Sequence, residues 1–205
     1  QPDPAEGRVI GYGQAINEAL AIALAQDPGV FVMGQGVDDP SAMFGTTKGL
    51  QARFGRPRVF DTPLSEEAMM GVATGAAMNG LRPVYMHNRP DFILLAFNQL
   101  VTHAAKFHYM DNGQTSVPMV VWAAIGRGWG SGAQHSQAIQ GLLLGVPGLK
   151  IVMPSSPHDA KGLLLAAILD NNPVCVFEHR WLMKKDGVVP EGPYRVPIGK
   201  GVYRR

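Results

Sequence analysis

Two glutamates stand side by side in DTPLSEEAMMGVATGAAMNG, residues 61–80. Glu66 and Glu67 head a run that is otherwise small, apolar and helical in spacing. A carboxylate placed there has two uses. It can stabilise a helix N-terminus, an effect of about 0.3–1 kcal/mol. Held in a mostly apolar pocket, it can instead share a proton with a weakly basic partner. Neighbouring helical residues point about 100° apart, so the two acids have different surroundings. Glu67 reads as solvated, and for Glu66 the spacing leaves both uses open. His135, in AQHSQ, is the second candidate. It follows four glycines in AIGRGWGSGAQHSQ and sits at a predicted helix start. An imidazole there suits a general acid or a hydrogen-bond donor; a capping or packing role fits the spacing equally well.

Other chemistries find little support. Gly-rich loops before helices can cradle phosphate, but no G-x-x-x-x-G-K-[ST] occurs, and GRGWG is not a dinucleotide fingerprint. His87, His103, His108, His158 and His179 show no metal-binding spacing, and there is no G-x-S-x-G nucleophile turn. The single cysteine, Cys175, lies in the apolar run PVCVFE, so neither an internal disulfide nor a cysteine metal site is available. That fits a reducing, cytoplasmic setting. Met69, Met70 and Met78 read as packing residues.

The elements that must position these residues alternate. Apolar residues recur at helical spacing over 14–26, 47–55, 65–79, 91–110, 135–145 and 156–170. Short apolar runs at 30–34, 58–62, 82–88, 117–124, 149–154 and 173–179 read as buried strands. Ser65 is placed to cap the helix that Glu66 opens. The alternation predicts an α/β fold of three layers, a mainly parallel sheet with helices on both faces. Residues 1–180 form that domain, and the Gly/Pro/basic-rich stretch 181–205 reads as an arm or linker. Ligands in such folds bind beyond the C-terminal ends of the strands. The candidate site loops are therefore Gly34–Thr47, Asp61–Glu66, His87–Phe92, Ala124–Gln137 and Pro154–His158.

Composition agrees. Hydrophobic residues are 46% and charged ones 17%, which suits a well-buried core and not a disordered chain. The net charge of +2 is scattered, without a basic run or a basic–aromatic stripe, so a nucleic-acid role is not supported. No uninterrupted apolar stretch reaches the roughly 18 residues of a membrane span. The opening QPDPAEGR lacks the regions of a signal peptide, and the missing Met reads as a trimmed terminus.

VFVMGQ, RVFDTPLSE, GVATGAAMNGLRPV, NQLVTHAAKFHYM, GAQHSQ and PGLKIVMPSSPHDAKGLLLAAI, in that order, resemble the β subunit of thiamine-diphosphate-dependent 2-oxo acid dehydrogenases. This is the E1 component, whose domain is also the pyrimidine-binding domain of transketolases. The likeness runs from about residue 8 to 200. It implies that Glu66 hydrogen-bonds the aminopyrimidine of thiamine diphosphate and drives the tautomerism that activates the thiazolium carbon. Phe92 matches the aromatic residue that packs on the pyrimidine, Asn88 falls in the same cofactor-binding set, and His135 matches the histidine facing the reacting carbon. Ala167, Asp170 and Asn172 match positions of a structural monovalent-cation site in some relatives.

The resemblance also marks departures. The family holds the diphosphate through Mg²⁺ with a G-D-G motif on another domain, and this sequence contains no G-D-G. A partner α-type subunit carrying that motif is implied, with an α2β2 heterotetramer. Family β subunits usually continue past VPIGK into a further α/β domain, which is then expected beyond Arg205, on a separate chain, or not at all. Gln35 stands where an acid is usual, and Arg89 where the family has apolar or Ser/Thr residues. The expected function is decarboxylation of pyruvate or a related 2-oxo acid with transfer of the acyl unit. Transketolase-like two-carbon transfer to an aldehyde, ketone or sugar, and a non-catalytic partner subunit, are the alternatives.

Overall fold

The computed structural model describes residues 6–39, 41–126 and 130–201. Six parallel strands make its centre: β2 (Val30–Gly34), β3 (Val59–Phe60), β4 (Arg82–His87), β5 (Val120–Ile125), β6 (Lys150–Val152) and β7 (Val174–His179). Their order across the sheet is β3-β2-β4-β5-β7-β6. β5, in the interior of the sheet, is buried along its whole length, VVWAAI, because both faces are covered.

Two apolar layers result. On one face, α1 (Tyr12–Gln26) and α6 (Pro157–Ile168) bury Ile16, Leu20, Leu24, Leu164 and Ile168 against Val32, Met86, Trp122 and Val176. The buried positions of α1 recur every three or four residues, as an amphipathic stripe requires. On the other face, α3 (Glu66–Met78) and the segment after β4 bury Met70, Ala73, Ile93 and Leu100 against Met33, Tyr85, Val121 and Phe177. Each large apolar side chain withdrawn from water contributes about 1.5–3 kcal/mol. The three-layer, mainly parallel α/β architecture expected from the alternation is the one observed.

Several boundaries differ. The helix predicted over 91–110 is divided into a 3₁₀ segment, Pro90–Ala96, a π-helical segment, Asn98–Ala104, and the short α4, Phe107–Met110. The first part is wound more tightly than an α-helix and the second more loosely, and Leu100 and Ala104 stay in the core. His135 does not open an α-helix; it ends a 3₁₀ turn, Ala133–His135, and α5 is confined to Gln140–Leu143. Ser65 occupies the N-cap position of α3, yet its side chain makes no capping hydrogen bond.

The stretch after residue 180 folds back. β8 (Asp186–Val189) pairs antiparallel with β1 (Arg8–Gly11) in a separate two-stranded sheet that the sequence pattern did not predict. Beyond it the Tyr194 hydroxyl donates to His158 O at 2.7 Å, and Val196 N–H donates to Gly162 O at 3.1 Å. Tyr194 and Val196 are thereby buried with Ile10, Ala15 and Val189. Residues 1–5 and 202–205, at the ends of the expected domain and arm, lie outside the described residues.

Candidate active site

The C-terminal ends of β2, β3, β4 and β5 carry the loops that converge. Gly34 closes β2 with φ +144°, and a Cβ there would overlap the Met86 carbonyl. Only glycine lets β2 and β4 approach this closely before the chain turns into Gln35. Asp61, after β3, accepts the Gly36 N–H on Oδ1 at 2.7 Å, which joins the loop after β2 to DTPLSE. The following helix α3 presents Glu66 and Glu67 in its first turn. Glu66 is half-buried; Glu67 is exposed and accepts from Gln99 Nε2 at 3.0 Å. The two acids thus part company as the helical angle requires.

After β4, Asn88 and Arg89 lead into the 3₁₀ turn that carries Phe92. Asp91 is buried and its Oδ1 accepts the Gln137 N–H at 3.0 Å. This bond ties the Phe92 segment to the His135 segment. The two rings then meet edge to face, with centroids 5.0 Å apart and planes at 75°. Asp91 is the functional neighbour that sequence reasoning missed; its only signal is its place next to Phe92 in PDF.

Glu66, Asn88, Phe92 and His135 line one cleft of about 580 Å³, together with Gln35, Ser41, Phe44, Leu64 and Arg89. Four of the five predicted site loops contribute. The fifth, Pro154–His158, lies at the β6 side of the sheet and serves packing: Pro154 O accepts the Tyr12 hydroxyl at 3.0 Å, and His158 stacks on Tyr194 at 4.9 Å. Part of the Gly-rich loop, residues 127–129, lies outside the described residues. A second cavity of about 590 Å³ opens at the opposite edge, between Lys106, Tyr109 and Gly148, and no carboxylate lines it.

Two titrating groups of β4 are held neutral by burial. Tyr85, on β4, has its phenol pushed well above the ordinary range by burial and then by the Glu66 carboxylate. His87 lies 4.3 Å from Tyr85, ring to ring, and burial pushes its imidazole down to about 3. Glu66 is the carboxylate among the cleft's lining residues.

Ala167, Asp170 and Asn172 sit elsewhere, where α6 ends and the chain enters β7 from its N-terminal side. Asp170 Oδ2 pairs with Lys150 Nζ at 2.6 Å and its Oδ1 accepts the Asn172 N–H at 2.9 Å. Arg82 donates to the carbonyls of Ile168 and Asp170 at 3.0 and 2.9 Å. Side-chain cations and a peptide N–H thus engage the oxygens in this corner, and Ala167 contributes a buried methyl to the core. Among the described residues no group of three His, Cys, Asp or Glu is arranged to hold a metal ion.

A parallel α/β domain whose cleft sets a helix-tip glutamate opposite an aromatic ring and a histidine defines a class, and residues 8–185 match the family described as transketolase, pyrimidine binding domain. The chain belongs to that family. It is 45% identical over 210 residues to the acetoin:2,6-dichlorophenolindophenol oxidoreductase subunit beta of Bacillus subtilis (strain 168), covering 97% of this chain and 61% of that protein. It is 45% identical over 198 residues to the 2-oxoisovalerate dehydrogenase subunit beta of the same organism, covering 96% and 61%. The pyruvate dehydrogenase E1 component subunit beta of Acholeplasma laidlawii is 42% identical over 193 residues, covering 94% and 59%. The chain thus spans about three fifths of the length of these relatives. A split-gene transketolase, solved as an inactive beta4 tetramer, superposes with a TM-score of 0.68 at 20% identity over 94% of this chain and 57% of its own, a likeness of fold. No helix among the described residues is long and apolar enough to cross a membrane.

Proposed function

We propose that this chain is the β-type, pyrimidine-binding subunit of a thiamine-diphosphate-dependent enzyme that decarboxylates pyruvate or a related 2-oxo acid and transfers the acyl unit. The observation that carries the proposal is the meeting of Glu66, Phe92 and His135 around one cleft. The residues fit the cofactor's pyrimidine. Glu66 offers a half-buried carboxylate to a weakly basic ring nitrogen, Phe92 an aromatic face, and Asn88 a polar side chain at the rim. Bound thiamine diphosphate supplies the carbon nucleophile that a 2-oxo acid requires. Glu66 holds the proton that the ring nitrogen shares. His135, oriented by Phe92 and the Asp91–Gln137 bond, holds or donates a proton to a substrate oxygen.

The sequence has no G-D-G, so a partner α-type subunit would hold the diphosphate and Mg²⁺, in an α2β2 heterotetramer working in the cytoplasm. An apolar surface near the cleft supports a subunit contact. Leu64 is 82% exposed, Val72 on α3 is 53% exposed and Leu95, in the 3₁₀ segment packed against α3, is 59% exposed. Burial of such a patch is a common mark of assembly.

The test is reconstitution with a co-expressed partner that carries G-D-G. The expected result is thiamine-diphosphate-dependent CO₂ release from a 2-oxo acid with reduction of a lipoyl acceptor, and loss of both by about 10²- to 10⁴-fold in Glu66→Gln. Undiminished turnover in that variant overturns the proposal in favour of a non-catalytic subunit. Arg89 in the cleft wall favours a second reading, transketolase-like transfer to a carbonyl acceptor. Product formation from an added aldehyde without lipoyl reduction establishes that reading instead.

A further inference from the structure

Phe44 differs from the other residues that line the cleft in its backbone. It lies in the 3₁₀ turn Ala42–Gly45 with φ +59°. Among the described residues, Phe44 and Asn112 are the two outside glycine that adopt a positive φ. Asparagine accepts the left-handed region readily; for a bulky aromatic residue it is strained. Such strain persists only where the surroundings over-determine it, and it gathers at ligand-binding sites.

The surroundings here are α1. Asn17 Nδ2 donates to Thr46 O at 3.0 Å and to Lys48 O at 3.1 Å. One turn earlier on α1, Gly13 leaves room for the Phe44 carbonyl, which a Cβ there would meet at 3.3 Å. Thr46 and Thr47 are buried. The backbone of the turn is thus strapped to a helix of the core while the Phe44 side chain lines the cleft. A ring fixed in advance loses little freedom when a ligand packs on it.

Topology decides which part of a substrate meets that ring. In the order β3-β2-β4-β5, the loops after β3 and β2 bring Leu64 and Phe44, and the loop after β5 brings His135. The loop after β2 lines the cleft with Gln35, Ser41 and Phe44, none of them charged. An apolar group gains by leaving water against such a wall, whereas a carboxylate loses hydration without a counter-charge.

We propose that Phe44 is a specificity-determining residue, whose ring forms the wall against which the side chain of the 2-oxo acid packs. The inference rests on the reading of the cleft as the reaction site, and it names the substrate class: 2-oxo acids whose side chain is aliphatic and larger than methyl.

The test uses the complex of the full chain with its α-type partner. Values of kcat/KM are compared for pyruvate, 2-oxoisovalerate and 2-oxoglutarate, whose side chains are methyl, isopropyl and carboxyethyl. Wild type is expected to favour 2-oxoisovalerate. Phe44→Ala should lower kcat/KM for 2-oxoisovalerate at least about tenfold, mainly through KM, and that for pyruvate by less, since one methylene in an apolar pocket is worth about tenfold or more. Phe44→Leu, which keeps an apolar wall, should retain most of the preference. Phe44→Gly should lose selectivity as Phe44→Ala does, yet unfold at higher urea, because glycine accepts the positive φ. Lost selectivity in the more stable of the two variants separates the wall from a folding defect. A wild-type preference for 2-oxoglutarate, or a 2-oxoisovalerate to pyruvate ratio unchanged in Phe44→Ala, overturns the wall while the functional reading stands. Absence of turnover by wild type on all three acids sinks the functional reading and the wall with it.

Discussion

Asp91 Oδ1 accepts the main-chain N–H of Gln137 at 3.0 Å, and through this bond the segment bearing Phe92 holds the segment bearing His135. Asp91 is 5% exposed, so the acceptor side of the bond is removed from water. Asp91→Ala should remove this tie at a cost of about 0.5–1.5 kcal/mol. The Phe92–His135 edge-to-face contact should loosen with it, so turnover should fall further than folding stability explains. Asp91→Asn keeps an acceptor oxygen and should recover most of both. Urea midpoints and kcat of the reconstituted enzyme decide; equal kcat in the alanine variant and wild type would show that the tie is structural only.

Gly34 makes a second demand on the cleft. Its φ of +144° is strained for any other residue, and a Cβ would overlap the Met86 carbonyl. Gly34→Ala should therefore cost at least about 1–3 kcal/mol in strain alone. It should also displace Gln35, the next residue, from the cleft wall. Chemical denaturation measures the first effect. A neutral ΔΔG would mean that β2 and β4 can separate at no cost.

The fold was legible because its signals are local. The uniformly apolar β5 and the three-to-four-residue stripe of α1 each announce their own environment. The β1–β8 pair was not legible, since Arg8–Gly11 and Asp186–Val189 are short and meet only because the tail folds back. The 91–110 segment reads as one helix because its 3₁₀ and π segments are only seven residues each, too short for their own periods to show in the apolar spacing. In the site, Glu66 and His135 carry chemistry in their type, and Phe92 was found through motif resemblance. Asp91 was not found, because its role depends on a partner 46 residues away in the sequence.

The corner holding Asp170 and Asn172 gives a prediction about ions. Lys150 Nζ lies 2.6 Å from Asp170 Oδ2, and Arg82 donates to the carbonyls of Ile168 and Asp170. With these oxygens engaged by the protein's own cations, replacing K⁺ by choline at constant ionic strength should leave the thermal midpoint of this chain unchanged. Lys150→Met should lower it, because the Asp170 carboxylate then loses its counter-charge. A K⁺-specific rise in the midpoint would show instead that the ion competes successfully with Lys150.

Glu178 lies opposite Ala124 on the α1–α6 face of the sheet, fully buried in the core. Burial pushes its carboxyl from the ordinary value near 4.5 up to about 8, against a smaller opposing pull from the Trp122 indole. The folded protein therefore keeps a proton on Glu178 at neutral pH while the unfolded chain releases it. Where the native state binds more protons, stability falls as pH rises. The penalty is absent below about 4.5, grows through neutrality and is complete above about 8. Across that window the loss is on the order of a few kcal/mol, because holding one proton costs about 1.4 kcal/mol for each step of one in pH. Glu178→Gln keeps the shape and removes the titration, so its stability should vary less with pH than wild type. The difference between the two should widen in favour of the variant from pH 5 to pH 8. Urea midpoints at three pH values across the window measure this, and parallel pH profiles for the two proteins would show that Glu178 ionises freely in the folded state.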